Sequence, residues 1–123
     1  MPPSGHFRFP RESRIVTAAE FGRIKRGGRR VATRYFLVYL APAAAGIPRL
    51  GMIVTRKVGG AVHRNRCKRV LREAFRLSRH NFPAPVDLVV IVKRSEDSPT
   101  LERYTKDLEL ALATRSRTNR DGL

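Results

Sequence analysis

The sequence has no tryptophan and a single cysteine, Cys67, among 123 residues. One thiol excludes an internal disulfide and any zinc site built from several cysteines. It fits a reducing compartment, with Cys67 as a small core residue. No segment approaches the roughly 20 apolar residues that span a bilayer, and the opening MPPSGHFRFPRES has no apolar run of the signal-peptide kind. The expectation is a cytoplasmic protein with no membrane partner. Acidic residues are few, 10 Asp plus Glu against 26 Lys plus Arg. They are also scattered, so no carboxylate pair for acid–base work or metal binding is visible. His6, His63 and His80 lie apart and read as surface residues, and no HExxH, GxSxG, phosphate loop or zinc spacing occurs. Neither a catalytic residue nor a metal ligand is expected in this polypeptide.

What is plentiful is positive charge. The formal net charge is +16, and self-repulsion of that size opposes a compact state unless the chain works against a polyanion. Nucleic acid is favoured over an anionic membrane. Hydrophobic residues still make up 41%, which supports a modest core in one domain and excludes a disordered polycation.

Residues 1–13, with three Pro and two Arg, read as a flexible basic arm, residues 14–115 as a single domain, and residues 116–123 as a frayed tail. Thr17 and Glu20 have capping-box spacing, and Val16 and Phe21 that of a hydrophobic staple. A short helix is therefore expected from about Thr17 to Arg26, stopped by Gly27-Gly28. Two strand-like runs follow, residues 35–41 (YFLVYLA) and 49–57 (RLGMIVTRK), joined by a Pro/Ala/Gly loop and expected to pair antiparallel. A long helix is expected over residues 61–79. Next comes a strand over residues 86–93 (VDLVVIVK), almost continuously apolar after Asp87 and so suited to the inside of a sheet. Ser98-Pro99 caps a last helix with Leu101, Tyr104, Leu108, Ala111 and Leu112 at helical spacing. The order helix-strand-strand-helix-strand-helix gives an α+β fold, a two-layer α/β sandwich.

The long helix carries RNRCKRVLREAF, residues 64–75. At about 100° per residue, Cys67, Val70, Leu71, Ala74, Phe75 and Ser78 share one sector. Lys68, Arg69, Arg72, Arg76 and Arg79 fall opposite, with Arg64 and Arg66 flanking the first turn. A mixed-charge helix would make this a solvated face, but only Glu73 opposes the run, and like charges at three- and four-residue spacing repel. Phosphate binding is the stronger reading. The predominance of arginine, whose planar fork bonds phosphate in pairs and stacks on bases, favours a folded RNA. Asn65 is either a local cap or an RNA contact.

This helix resembles the RNR motif of the bacterial ribonuclease P protein component, and the preceding GMIVTRKVG, residues 51–59, matches the strand and turn before that motif. The likeness extends upstream through FPRE, residues 9–12, and downstream to residue 112. It implies a left-handed βαβ crossover and assembly with a catalytic RNA to remove 5′ leaders from precursor tRNA. The magnesium ions would be held mainly by the RNA, with no obligate protein partner. It assigns Arg64, Asn65, Arg66, Lys68, Arg69, Arg72 and Arg76 to the catalytic RNA. It assigns Phe21, Lys25, Tyr39, Arg56, Lys57 and Lys93 to the single-stranded leader. Aromatic platforms beside cations suit such a strand, although the staple with Val16 would also account for Phe21. Many relatives carry a second aromatic where this chain has Lys25, so a phosphate contact is expected to replace stacking there. A ribosomal or RNA-assembly protein would share the charge and fold class, and a protein-only nuclease would cut without added RNA.

Overall fold

A computed structural model describes residues 18–43, 46–78 and 85–121, with side chains to residue 113. Helix α1, Ala18–Gly27, ends where the Gly28 N–H donates to the Ile24 carbonyl at 2.7 Å. A Cβ on Gly28 would meet the Leu40 carbonyl oxygen at 2.7 Å, so only glycine lets the helix end pass this close to the sheet. The expected start at Val16-Thr17 lies outside the described residues, as do the arm of residues 1–13, Arg79 and His80.

Strands β1 (Arg29–Ala32), β2 (Phe36–Pro42) and β3 (Arg49–Ile53) follow, then a 3-10 turn (Arg56–Val58), α2 (Ala61–Ser78), β4 (Val86–Val92) and α3 (Leu101–Asp121). The sheet order is β1-β2-β4-β3. Strand β2 is antiparallel to β1 and β4, and β3 is parallel to β4. The α+β class and the expected run of six elements stand, with β1 added. RRVA offers only one strongly apolar position in four, which is too little to mark a strand in sequence but suits a short edge strand.

The expected pairing of β2 with β3 does not occur, because β4 lies between them. Its Val86, Leu88, Val89 and Val90 are all essentially buried, and a strand apolar on both faces belongs inside the sheet. Strand β3 also stops at Ile53 rather than continuing to Lys57. Units β3, α2 and β4 form the βαβ crossover to which the resemblance gives a left hand. Helix α3 continues through Asp121, beyond the boundary expected near Arg115.

Period-two alternation divides the two faces of the sheet. On one face, Phe36, Val38, Leu40, Leu50, Leu88 and Val90 meet Cys67, Leu71, Ala74 and Phe75 of α2 and Tyr104, Leu108 and Ala111 of α3. The Phe36 and Tyr104 rings meet edge to face, 4.7 Å between centroids. On the other face lies α1, whose buried Ile24 packs on Ala41 and Val89.

Candidate nucleic-acid interface

Helix α2 is launched by a turn that only glycine tolerates. Gly59 has φ +154°, and a Cβ there would meet His63 Cδ2 at 2.8 Å. The Arg64 Nε donates to the Gly59 carbonyl at 3.2 Å, tying the first arginine of the RNR motif to that turn. No acidic residue lies in the first turn, so the positive end of the helix dipole and the arginines reinforce one another.

The buried stripe is the one the wheel predicts, with Cys67, Leu71, Ala74, Phe75 and Ser78 inside. His63, expected at the surface, is half-buried, its Nε2 3.7 Å from the Cys67 Sγ. The opposite sector is graded. Asn65, Arg66 and Arg69 are exposed, whereas Arg64, Lys68, Arg72 and Arg76 are half-buried. Arg76 is not an unopposed cation: its Nε donates to Glu73 Oε1 at 3.0 Å, and this guanidinium holds the Glu73 carboxyl below the usual carboxylate range. Residues three apart on a helix are neighbours, so the one acid on this face neutralises part of its C-terminal half. The unopposed charge is concentrated toward the N-terminal half.

On the other side of the sheet, Phe21 and Lys25 stand one turn apart on α1. With Ala18, Gly22 and Ile53 they line a shallow groove of about 440 Å³. Tyr39 of β2 and Ile53 of β3 pack with Phe21 on the Ile24, Ala41 and Val89 cluster. The expected Phe21, Lys25 and Tyr39 therefore share one side of the molecule. Ile53 was missed, though alternation in β3 puts it on the face opposite Leu50 and was the available signal. Lys93 is exposed beyond the end of β4, and its Nζ donates to the Thr33 carbonyl at 2.6 Å. Arg56 and Lys57 are exposed in the 3-10 turn between β3 and α2, joining the groove's Ile53 wall to the basic helix.

An ion-pair network fixes α1 to the sheet. Asp87 is fully buried and accepts from Arg49 Nε and Nη2, each at 3.0 Å, and from Arg23 Nη2 at 2.7 Å. Arg49 Nη1 reaches Glu20 Oε2 at 2.7 Å. The bond to Asp87, above all, and the bond to Glu20 push the Arg49 pKa still higher. Glu20 and Arg23 flank Ile24 on one side, and Phe21 and Lys25 on the other, so the clamp sets the roll of α1 and thereby the groove wall. In sequence, Glu20 was assigned to a cap and Asp87 passed as an interruption. A lone carboxylate in an apolar strand was the neglected sign, because a buried charge must be paired.

Among the described residues, no group of three or more His, Cys, Asp or Glu side chains could hold a metal ion, and no helix is long and apolar enough to cross a membrane. The sequence profile of the family described as Ribonuclease P matches residues 9–115. The chain belongs to the ribonuclease P protein family. The ribonuclease P protein component of Desulfatibacillum aliphaticivorans is 44% identical over 100 residues, 79% of this chain and 85% of that protein. A Staphylococcus aureus ribonuclease P protein mutant superposes with TM-score 0.78 at 30% identity, over 93% of this chain and 97% of that one. The Thermotoga maritima ribonuclease P protein superposes with TM-score 0.70 at 29% identity, over 82% and 96%. A protein component of ribonuclease P works with an RNA component, and a ribosomal reading of the charge is not favoured.

Proposed function

We propose that this chain is the cytoplasmic RNA-binding subunit of ribonuclease P and that its two surfaces divide the work of 5′ leader removal from precursor tRNA. The exposed half of α2, with Arg64, Asn65, Arg66, Lys68 and Arg69, binds the catalytic RNA, and Arg72 and Arg76 extend that surface toward the C-terminal end. The groove along α1, with Phe21, Lys25, Tyr39, Arg56, Lys57 and Lys93, holds the single-stranded leader. The observation that carries this reading is the groove itself. An aromatic ring and an ammonium one helical turn apart, beside apolar Ile53, form a stacking platform next to a phosphate partner, as sequence-tolerant binding of a single strand needs. It opens on the sheet face opposite the one that packs α2, so both RNAs can be held at once, with no obligate protein partner.

The chemistry and the magnesium that serves it are assigned to the RNA, and no chemical step to this chain. Its part is to place cations between two polyanions. Lowered repulsion between them reduces the magnesium that the RNA requires.

The test mixes the protein with a bacterial ribonuclease P RNA and an end-labelled precursor tRNA at low magnesium, omitting each component in turn. Cleavage at the mature 5′ end should require the RNA and be stimulated by the protein. Cleavage by the protein alone, or no stimulation of an RNA verified active at high magnesium, would refute the reading.

A further inference from the structure

Strand β1 carries a cation that nothing so far has used. Arg30 is exposed and lies directly across from Tyr39 in the β1–β2 register. Its neighbour Val31 points into the core shared with α2 and α3, so alternation turns Arg30 and Ala32 to the face that bears α1. On that face, successive strands bring Ala32, Leu37, Ile91 and Ile53 into one row and Arg30, Tyr39, Val89 and Gly51 into the next. Leu37, Tyr39, Ile91 and Ile53 are each only partly buried. The floor beside α1 is thus an apolar and aromatic strip that runs on past the groove to the sheet edge. Its boundary is basic, with Lys25 on α1, Lys93 beyond β4 and Arg30 at the far end. The buried acid of this face, Asp87, is already held by Arg23 and Arg49. Among the described residues no ion pair engages Arg30.

We infer that the leader groove continues across the sheet onto edge strand β1, where Arg30 takes a backbone phosphate of the single-stranded leader beyond the nucleotides held by Phe21 and Tyr39. This rests on the proposed leader reading of the groove and adds a subsite to it. Crossing from β3, which bears Ile53, to β1, which bears Arg30, takes three strand spacings of about 4.8 Å, roughly 14 Å measured across the strands. A leader must therefore extend past the α1 wall before Arg30 can touch it. A cation on an edge strand also discourages pairing with another chain, but that role is indifferent to leader length.

The distinguishing experiment measures the affinity of the reconstituted holoenzyme for precursor tRNAs whose leaders are shortened one nucleotide at a time, and for mature tRNA. It compares the wild type with Arg30→Ala, Arg30→Lys and Phe21→Ala. Arg30→Ala is expected to weaken binding about threefold to tenfold for long leaders, the loss of one partly solvated phosphate contact. The salt slope should fall by about 0.7, and the defect should vanish below a threshold length and for mature tRNA. Arg30→Lys should recover most of the loss. Thermal melting and affinity for the catalytic RNA should match the wild type, as suits an exposed position. A deficit in Phe21→Ala with none in Arg30→Ala at any length would overturn the extension alone. An equal deficit on mature tRNA would overturn it by moving Arg30 to another RNA surface. Leader-independent binding by the wild type, unaltered by either alanine variant, would overturn the groove reading itself.

Discussion

The resemblance leads one to expect a second aromatic at position 25, where this chain has Lys25, and Lys25 lines the groove one turn from Phe21. A ring there would stack on a base, worth about 1–3 kcal/mol, whereas an ammonium offers only a screened phosphate contact. Lys25→Phe is therefore expected to tighten binding of precursor relative to mature tRNA by about fivefold or more and to flatten its salt dependence. Phe21→Ala should weaken the same ratio by a similar factor. A titration of both tRNAs against the holoenzyme at several salt concentrations measures both effects, and an unchanged ratio in both variants would remove the stacking argument. On α2, the arginines are not equivalent. Arg69 is exposed, while Arg76 is bonded to Glu73. Arg69→Ala should cost more affinity for the catalytic RNA than Arg76→Ala, measured by direct binding without tRNA; equal losses would mean that the Glu73 pair opens freely to RNA.

At the scale of elements, α1 owes its seat to charge as well as to Ile24. Removing one partner of a buried ion pair costs about 3–5 kcal/mol, because the other charge stays buried. Arg49→Met removes the guanidinium that bonds both oxygens of Asp87, so urea unfolding should show a loss of that order, with the leader-dependent part of binding reduced beyond what the residual folded fraction explains. A loss confined to stability would show that the groove wall does not depend on the clamp. Where the sequence spoke through periodicity it was readable: the buried stripe of α2 and the inner position of β4; Phe21 and Lys25 were picked out by the resemblance instead, and both line one groove. It was silent where tertiary pairing decides. The RRVA strand has too few apolar residues to announce itself, and the partner of β2 is chosen by β4 from the far side of α2 rather than by the intervening loop. Likewise the Glu20, Arg23, Arg49 and Asp87 network joins residues distant in the chain, and no local spacing encodes it. The ion pair between Glu73 and Arg76 was legible at three-residue spacing, but it was weighed as one acid against many bases rather than as a bond.

For the whole molecule, the net charge of +16 predicts how the complex responds to ions. Each phosphate neutralised contributes about 0.7–0.9 to the slope of log affinity against log salt. Affinity for the catalytic RNA should therefore fall steeply and linearly on that plot, and stimulation of cleavage should be largest at low magnesium and shrink as magnesium rises. Stimulation independent of magnesium would mean that the protein acts by shape alone. The sheet order β1-β2-β4-β3 has one more consequence, for the newborn chain. Strands β2 and β3 have no bond to each other and meet only through β4, which leaves the ribosome after the whole basic helix. Until then α1 lacks Asp87 and Val89 beneath it, and α2 lacks half of its sheet. A nascent chain stalled before Val86 would hold the β1–β2 pair, an unpaired β3 and loose cations free to gather on the nearest RNA, and the four-stranded sheet would close only when β4 slots between its neighbours.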